Sequence, residues 1–149
     1  MENERKININ VVSLKLVKEK NISISMGNKF DVVSSLSNLI KEKDREYFVV
    51  ISLNTKLFVN SINVVSIGSV NSTIVHPREV FKVAVLSNAT CIIVAHNHPS
   101  GDVMPSREDI DVTHRLKEAS EIMGITLLDH IIVAFQNPEI YSFKENGLI

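Results

Sequence analysis

The stretch whose reading decides the fold is 90-TCIIVAHNHPSGDVMPSREDIDVTHRLKEASEIMGITLLDHIIVA-134. It opens on a short apolar run, 90-TCIIVA-95, of the kind expected of a strand buried in a sheet. Pro99, Gly101 and Pro105 then mark a tight loop. Pro105 and Ser106 open a helix that carries Ile110, Thr113, Leu116, Ala119 or Ser120, and Met123 inward, and Gly124 is placed to stop it. A second apolar strand, 125-ITLLDHIIVA-134, follows directly.

Outward from this core, the same alternation continues. Upstream, 46-EYFVVISL-53 is a near-continuous apolar run, the mark of a strand covered on both faces. Asn54-Thr55-Lys56 reads as a hairpin turn into 57-LFVNSINVVSIG-68. Pro77 suits a first helical position, so 77-PREVFKVAVLSN-88 reads as a short amphipathic helix with an Asn fit for its C-terminal cap. Residues 29–43 space Val32 or Val33, Leu36, Leu39 and Ile40 as a helix, and residues 8–16 and 21–25 read as strands. Downstream, 140-IYSF-143 is a short last strand. Strands and helices alternate, which predicts a three-layer α/β domain on a mixed sheet.

Composition narrows the function. At 149 residues the chain suits one domain with a core of its own. Its single cysteine, Cys91, permits no internal disulfide and no cysteine-rich zinc site, and points to a reducing, cytoplasmic setting. The N-terminus, MENERKININ, is charged and has no apolar signal-peptide core, and no apolar run approaches the ~20 residues of a membrane span. Sixteen basic against seventeen acidic residues leave a formal charge of −1, no electrostatic footprint for nucleic acid.

Chemistry gathers at the end of strand 90–95. Residues two apart on an extended strand face the same way, so His96 and His98 project side by side. Asp109 lies eleven residues after His98, in the first turn of the next helix, and the Pro/Gly loop can fold that turn back over the strand end. Two histidines and a carboxylate would make a three-ligand site with a position open to water, the pattern of a catalytic zinc. A plainer reading stands beside this one. Ser106-Arg107-Glu108-Asp109 has the form of a capping box, which accounts for Ser106 and Asp109 without chemistry. It does not account for the paired histidines. Asp129 and His130 point to opposite faces of their strand, so at most one faces the site, and either could be support for a ligating histidine or an ordinary hydrogen-bonded residue. His76 and His114 read as structural or surface residues, and Cys91 as a small buried side chain.

The spacing His-x-His, seven residues, Ser, two residues, Asp resembles the JAMM motif of the MPN/JAB metalloproteases. The segments HPREVFK, HNHPSGD, PSREDI and LLDHIIVA look like the RadC branch of that family, over about residues 75–134, with a weaker likeness from about residue 27 to the end. The resemblance divides the chain into a strand-forming extension, 1–26, and an MPN/JAB-like domain, 27–149, the short form without a helix-hairpin-helix region. It implies Zn2+ held by His96, His98 and Asp109, Ser106 supporting the oxyanion, and a glutamate at the start of an earlier strand as general base. Glu46 matches that position, and Glu79 in HPREVFK is its rival. The implied reaction is hydrolysis of a peptide or isopeptide bond in a peptide or protein substrate. The family's name also implies a rival role in DNA repair, as a binding factor or metal-dependent nuclease, which the charge disfavours. A zinc deaminase would need a Pro-Cys-x-x-Cys that one cysteine cannot supply. A metal-free scaffold of the same fold is disfavoured because every motif position is filled.

Overall fold

In the computed structural model, residues 39–68, 75–134 and 136–149 are described. The strands expected at 8–16 and 21–25, and residues 29–38 of the first helix, lie outside them. Of that helix, Leu39 and Ile40 are helical and residues 41–42 form a turn, so it stops short of Lys43.

Among the described residues, five strands form one mixed sheet: β1 (Glu46–Leu53), β2 (Val59–Gly68), β3 (Cys91–His98), β4 (Thr126–Ala134) and β5 (Asn137–Ser142). Their spatial order is β2-β1-β3-β4-β5. Only β3 and β4 run parallel, as a strand–helix–strand unit requires, and the other neighbours are antiparallel. Helix α1 (Pro77–Leu86) and helix α2 (Arg107–Met123) connect them. None of the helices among the described residues is long and apolar enough to cross a membrane.

The two faces of the sheet bury separate cores. Phe48, Val50, Ile92, Val94 and Leu127 pack against Val80, Phe81 and Ala84 of α1 and Val112 and Leu116 of α2. Val49, Ile51, Cys91, Ile93, Ala95, Ile131 and Val133 face the other way, where Ile40 joins them. Cys91 is buried and free, as its sequence setting implied. The expected mixed α/β architecture is therefore present, with α1 and α2 on one face.

Three local expectations need correction. The strand read as 90–95 continues through His98, because its ladders to β1 and β4 reach His96 and His98 respectively; the histidines are strand residues. Met123 is exposed rather than inward, and Val112 takes an inward place one turn before Leu116. The last strand begins at Asn137, three residues early. The caps follow the sequence closely. Asn88 is left-handed at φ 54, and the amide of Ala89 donates to Ala84 O while that of Asn88 donates to Val85 O, a Schellman closure of α1. Gly124 closes α2 with φ 65.

Candidate metal centre

The parity of β3 sets the site. Ile92 and Val94 face the helices, so His96 and His98 continue on that face, and Asn97 turns to the opposite one. Beyond His98 the chain doubles back. Gly101 adopts φ 88 and its amide donates to His98 O, and Asn137 Nδ2 of β5 holds Gly101 O at 3.2 Å. Asp102 Oδ1 then accepts from the Met104 amide. This return delivers the start of α2 to the end of β3.

At that start Ser106 and Asp109 form the expected capping box. Ser106 Oγ accepts from the Asp109 amide at 3.1 Å, and the Ser106 amide donates to Asp109 Oδ2 at 2.7 Å. The Ser106 hydroxyl donates to the same Oδ2, also at 2.7 Å. The cap and the site are thus one structure, since the carboxylate held by the box faces both histidines. Asp109 Oδ1 is 3.2 Å from His96 Nε2, and Oδ2 is 3.5 Å from His98 Nε2. His96, His98 and Asp109 offer ligand atoms that all lie within 4.8 Å of one another, a candidate metal-binding triad. His96 and Asp109 are buried and His98 is partly so.

The donor set fits a divalent ion: two imidazoles, one carboxylate, no thiol. Burial alone would push the Asp109 carboxyl up. Hydrogen bonds from the His96 and His98 rings, and from Ser106, outweigh it and hold the group well below the usual carboxylate range. At His98 burial pulls downward, but the Asp109 hydrogen bond, the Asp102 carbonyl and the nearby Glu46 charge carry the pKa above the ordinary imidazole value.

Glu46 opens β1. Phe48 pairs with His96 in the antiparallel ladder, so two residues back along β1 brings Glu46 level with His98, and period-two alternation puts it on the face of Phe48. Asn97 locks that end of β1. Its Oδ1 accepts from the Tyr47 amide at 2.7 Å, and its Nδ2 donates to Arg45 O at 3.0 Å, one bond on each side of Glu46. Glu79 is engaged elsewhere. It pairs with Arg78 and Lys82 on α1, and the Lys82 ammonium holds its carboxyl below the ordinary value.

Of Asp129 and His130, His130 is the one that meets the site. Ile92 pairs with Leu127 but Ile93 with Asp129, so Leu128 is an extra residue in β4. This bulge resets the alternation, and His130 shares the helix-side face with Leu127. Its Nε2 lies 2.8 Å from His96 Nδ1, and its Nδ1 lies 2.6 Å from Thr113 Oγ1. Burial, and next the His96 charge, push its pKa well below the usual imidazole value. Asp129 instead accepts from Ser142 Oγ at 2.6 Å and from the Lys144 amide. Thr113 and Asn97 were not legible as site residues. The one available signal for Thr113 is its position four after Asp109, on the same helix face. His114 is exposed on α2, and His76 is the N-cap residue of α1 without a side-chain capping bond.

Comparison with known proteins identifies relatives of this chain. The model of the RadC-like JAB domain family matches residues 26–148. A UPF0758 protein of Clostridium beijerinckii is 47% identical over 133 residues, covering 89% of this chain and 57% of the relative. One from Staphylococcus epidermidis is 52% identical over 110 residues, 74% of this chain and 49% of its own length. A third, from Rubrobacter xylanophilus, is 42% identical over 151 residues, 98% of this chain and 65% of its own. The chain thus spans roughly half to two thirds of these relatives. With a family model matching most of its length and relatives this similar, the chain belongs to the RadC-like JAB domain family.

Proposed function

We propose that this chain is a zinc-dependent metallohydrolase of the peptidase type, cleaving a peptide or isopeptide bond with water. The observation that carries the reading is the convergence of His96, His98 and Asp109, with ligand atoms within 4.8 Å of one another. Two imidazoles and one carboxylate are the donor set of a catalytic zinc with a position open to water, whereas closed structural sites use four protein ligands. Membership of a JAB family supports a hydrolase.

When bound, zinc supplies Lewis acidity, which acidifies water and polarises a carbonyl. Glu46, at the start of β1 and level with His98, accepts the proton of the attacking water and returns it to the leaving amine. Asn97 keeps that strand end in register through Arg45 and Tyr47. The Ser106 hydroxyl, which donates to Asp109 Oδ2 here, turns about its side-chain torsion to donate to the oxyanion of the tetrahedral intermediate. The place of Glu46 at the start of β1, level with His98, supports it as the base over Glu79, which pairs with Arg78 and Lys82 on α1.

Metal analysis beside turnover tests the reading. The purified chain is expected to hold one zinc, and Glu46→Gln to retain it while hydrolysis of a peptide or isopeptide substrate falls by about 10²–10⁴-fold. Wild-type turnover in Glu46→Gln together with its loss in Glu79→Gln would move the base to α1. Wild-type turnover in both would end glutamate-based catalysis altogether.

A further inference from the structure

Asp129 stands beside His130 on β4, faces away from the candidate ligands with Ile93, and holds a different part of the chain. Its Oδ2 accepts from the Ser142 hydroxyl at 2.6 Å. Its Oδ1 accepts from the Lys144 amide at 3.1 Å and from the His130 amide at 2.8 Å. The bonds to Ser142 and Lys144 lie on either side of Phe143, as those of Asn97 lie on either side of Glu46. We propose that Asp129 and Phe143 are positioning residues: the carboxylate fastens the chain at the end of β5 so that the Phe143 ring closes a row of rings that fixes the plane of His96. The proposal rests on the metal reading of the site for its purpose, and on ring geometry for its mechanism.

The row crosses the sheet. Phe48 of β1 stacks on His96 of β3 with centroids 5.9 Å apart and planes 13° from parallel. His96 meets His130 of β4 at 4.9 Å, with its Nδ1 lying 2.8 Å from His130 Nε2. His130 in turn stacks on Phe143 at 4.5 Å and 11°. The Phe143 amide donates to His130 O at 3.0 Å, which sets the phenyl opposite the imidazole. A phenyl ring closes each end of the row, and all four side chains are fully buried.

The row matters because an imidazole is poorly aimed by its own rotamer. The torsion that turns the ring is broad and roughly two-fold, so neighbours must choose the plane. A ligating nitrogen presents its lone pair in that plane, and the groups around a ligating histidine commonly fix its orientation. Phe48 and His130 come from the strands on either side of β3. Between them the His96 ring points Nε2 into the space where His98 Nε2 lies at 2.9 Å and Asp109 Oδ1 at 3.2 Å. His130 has the same soft torsion, and Phe143 supplies the flat face that restrains it. Phe143 is the first residue of the turn that follows β5, and Asp129 holds the residues before and after it. Burial of Phe143 as a core residue would by itself require neither a near-parallel stack on His130 nor a buried carboxylate bonded to both of its neighbours.

The test reads the order of the His96 ring in the metal-free full chain by 13C relaxation of its C–H groups, beside zinc affinity from competition with a chelator of known strength. In the wild type the ring is expected to be as ordered as the backbone of β3. Phe143→Leu keeps apolar bulk but removes the flat face, so ring order should fall and zinc should bind about 10–100-fold more weakly. Ser142→Ala removes one of the two fastening bonds and should move both readouts the same way by less; it serves where Phe143→Leu does not fold. Ile51→Val loosens the core on the other face without touching a ring and should change neither readout. A disordered His96 ring in the wild type overturns the proposal and needs no variant. So does ring order that stays at the wild-type level in folded Phe143→Leu, or in Ser142→Ala where that variant alone folds. An equal loss in Ile51→Val overturns it as well, since the effect would then be one of general stability, and so does lost ring order with unchanged zinc affinity. Zinc binding by the wild type with ring order unchanged in Phe143→Leu leaves the metal reading standing and ends the proposal. No zinc in the wild type, with ring order that falls in Phe143→Leu, ends the metal reading and supports the row.

Discussion

Asp109 is asked to do two things at once, and mutation can separate them. Its carboxylate closes the capping box on Ser106 and also faces both histidines. Asp109→Asn keeps a similar shape but removes the charge that the ring N–H groups of His96 and His98 hold in ionised form. Zinc is expected to be lost at concentrations that saturate the wild type, as elemental analysis after dialysis will show. Ser106→Ala removes the cap hydroxyl and leaves all three ligands. Metal is then retained, with about 1 kcal/mol of stability lost in a denaturant melt. Zinc loss in Ser106→Ala equal to that in Asp109→Asn would mean that the box, and not the carboxylate charge, builds the site. At this scale the sequence was generous. His96, His98 and Asp109 could be brought together from strand parity and helix-start chemistry, because both are local rules. His130 could be narrowed only to a pair with Asp129, since an inserted residue in β4 changes which of them faces inward and no local signal announced it.

Elements transmit these positions to one another. The antiparallel β1–β3 pair brings Glu46 level with His98, and Asn97 holds the end of that pair with bonds to Arg45 O and the Tyr47 amide. Asn97→Ala leaves both backbone groups without that partner, at a cost of about 1–3 kcal/mol. The ligand set is untouched, so zinc should stay while turnover falls with kcat rather than KM; Asn97→Asp, which keeps the acceptor for Tyr47, should recover part of it. Loss of zinc in the folded Asn97→Ala chain would show instead that Asn97 orders the ligands. Helix α2 offers a simpler case. Gly124 has φ 65, yet a Cβ there would meet no atom within 4 Å. Gly124→Ala therefore costs backbone strain alone, about 1–2 kcal/mol, readable as a lower melting temperature with zinc content unchanged. The ends of the helices were legible because their signals are local: Pro77, Asn88 and Gly124 act through their own backbone preferences, and Ser106 through a side-chain cap three residues away. The reach of β3 to His98 was less so, because its last residues look polar in isolation and are strand only through the ladders on either side.

On the scale of the whole molecule, one sheet separates two cores, and the site sits where the helix-side core runs out into polar residues. Phe48 belongs to both, packing in the core and stacking on His96. The balance of charge, −1 overall, provides little counterion release on DNA. Binding to duplex is therefore expected to be weak and not sequence-selective at physiological salt, and a tight, discriminating complex in a gel-shift titration would favour a repair role instead. Metal binding should be visible in global stability. The three ligands come from β3 and α2, whose separate approach is lost on unfolding, so an ion bound there stabilises the native state by mass action. Free zinc at 100 times its dissociation constant adds about 2.7 kcal/mol. For a domain of this size each kcal/mol moves the melting temperature by about 2–4 °C, so the difference between zinc-loaded and chelator-treated chain should be roughly 5–10 °C. The shift should grow with the logarithm of free zinc, vanish in Asp109→Asn, and persist in Glu46→Gln. It should also persist in Gly124→Ala on a lower baseline, because that change weakens the fold without touching a ligand. Equal melting temperatures for the wild type with and without zinc, over a range of free metal, would remove the ion from the site and the proposed hydrolysis with it.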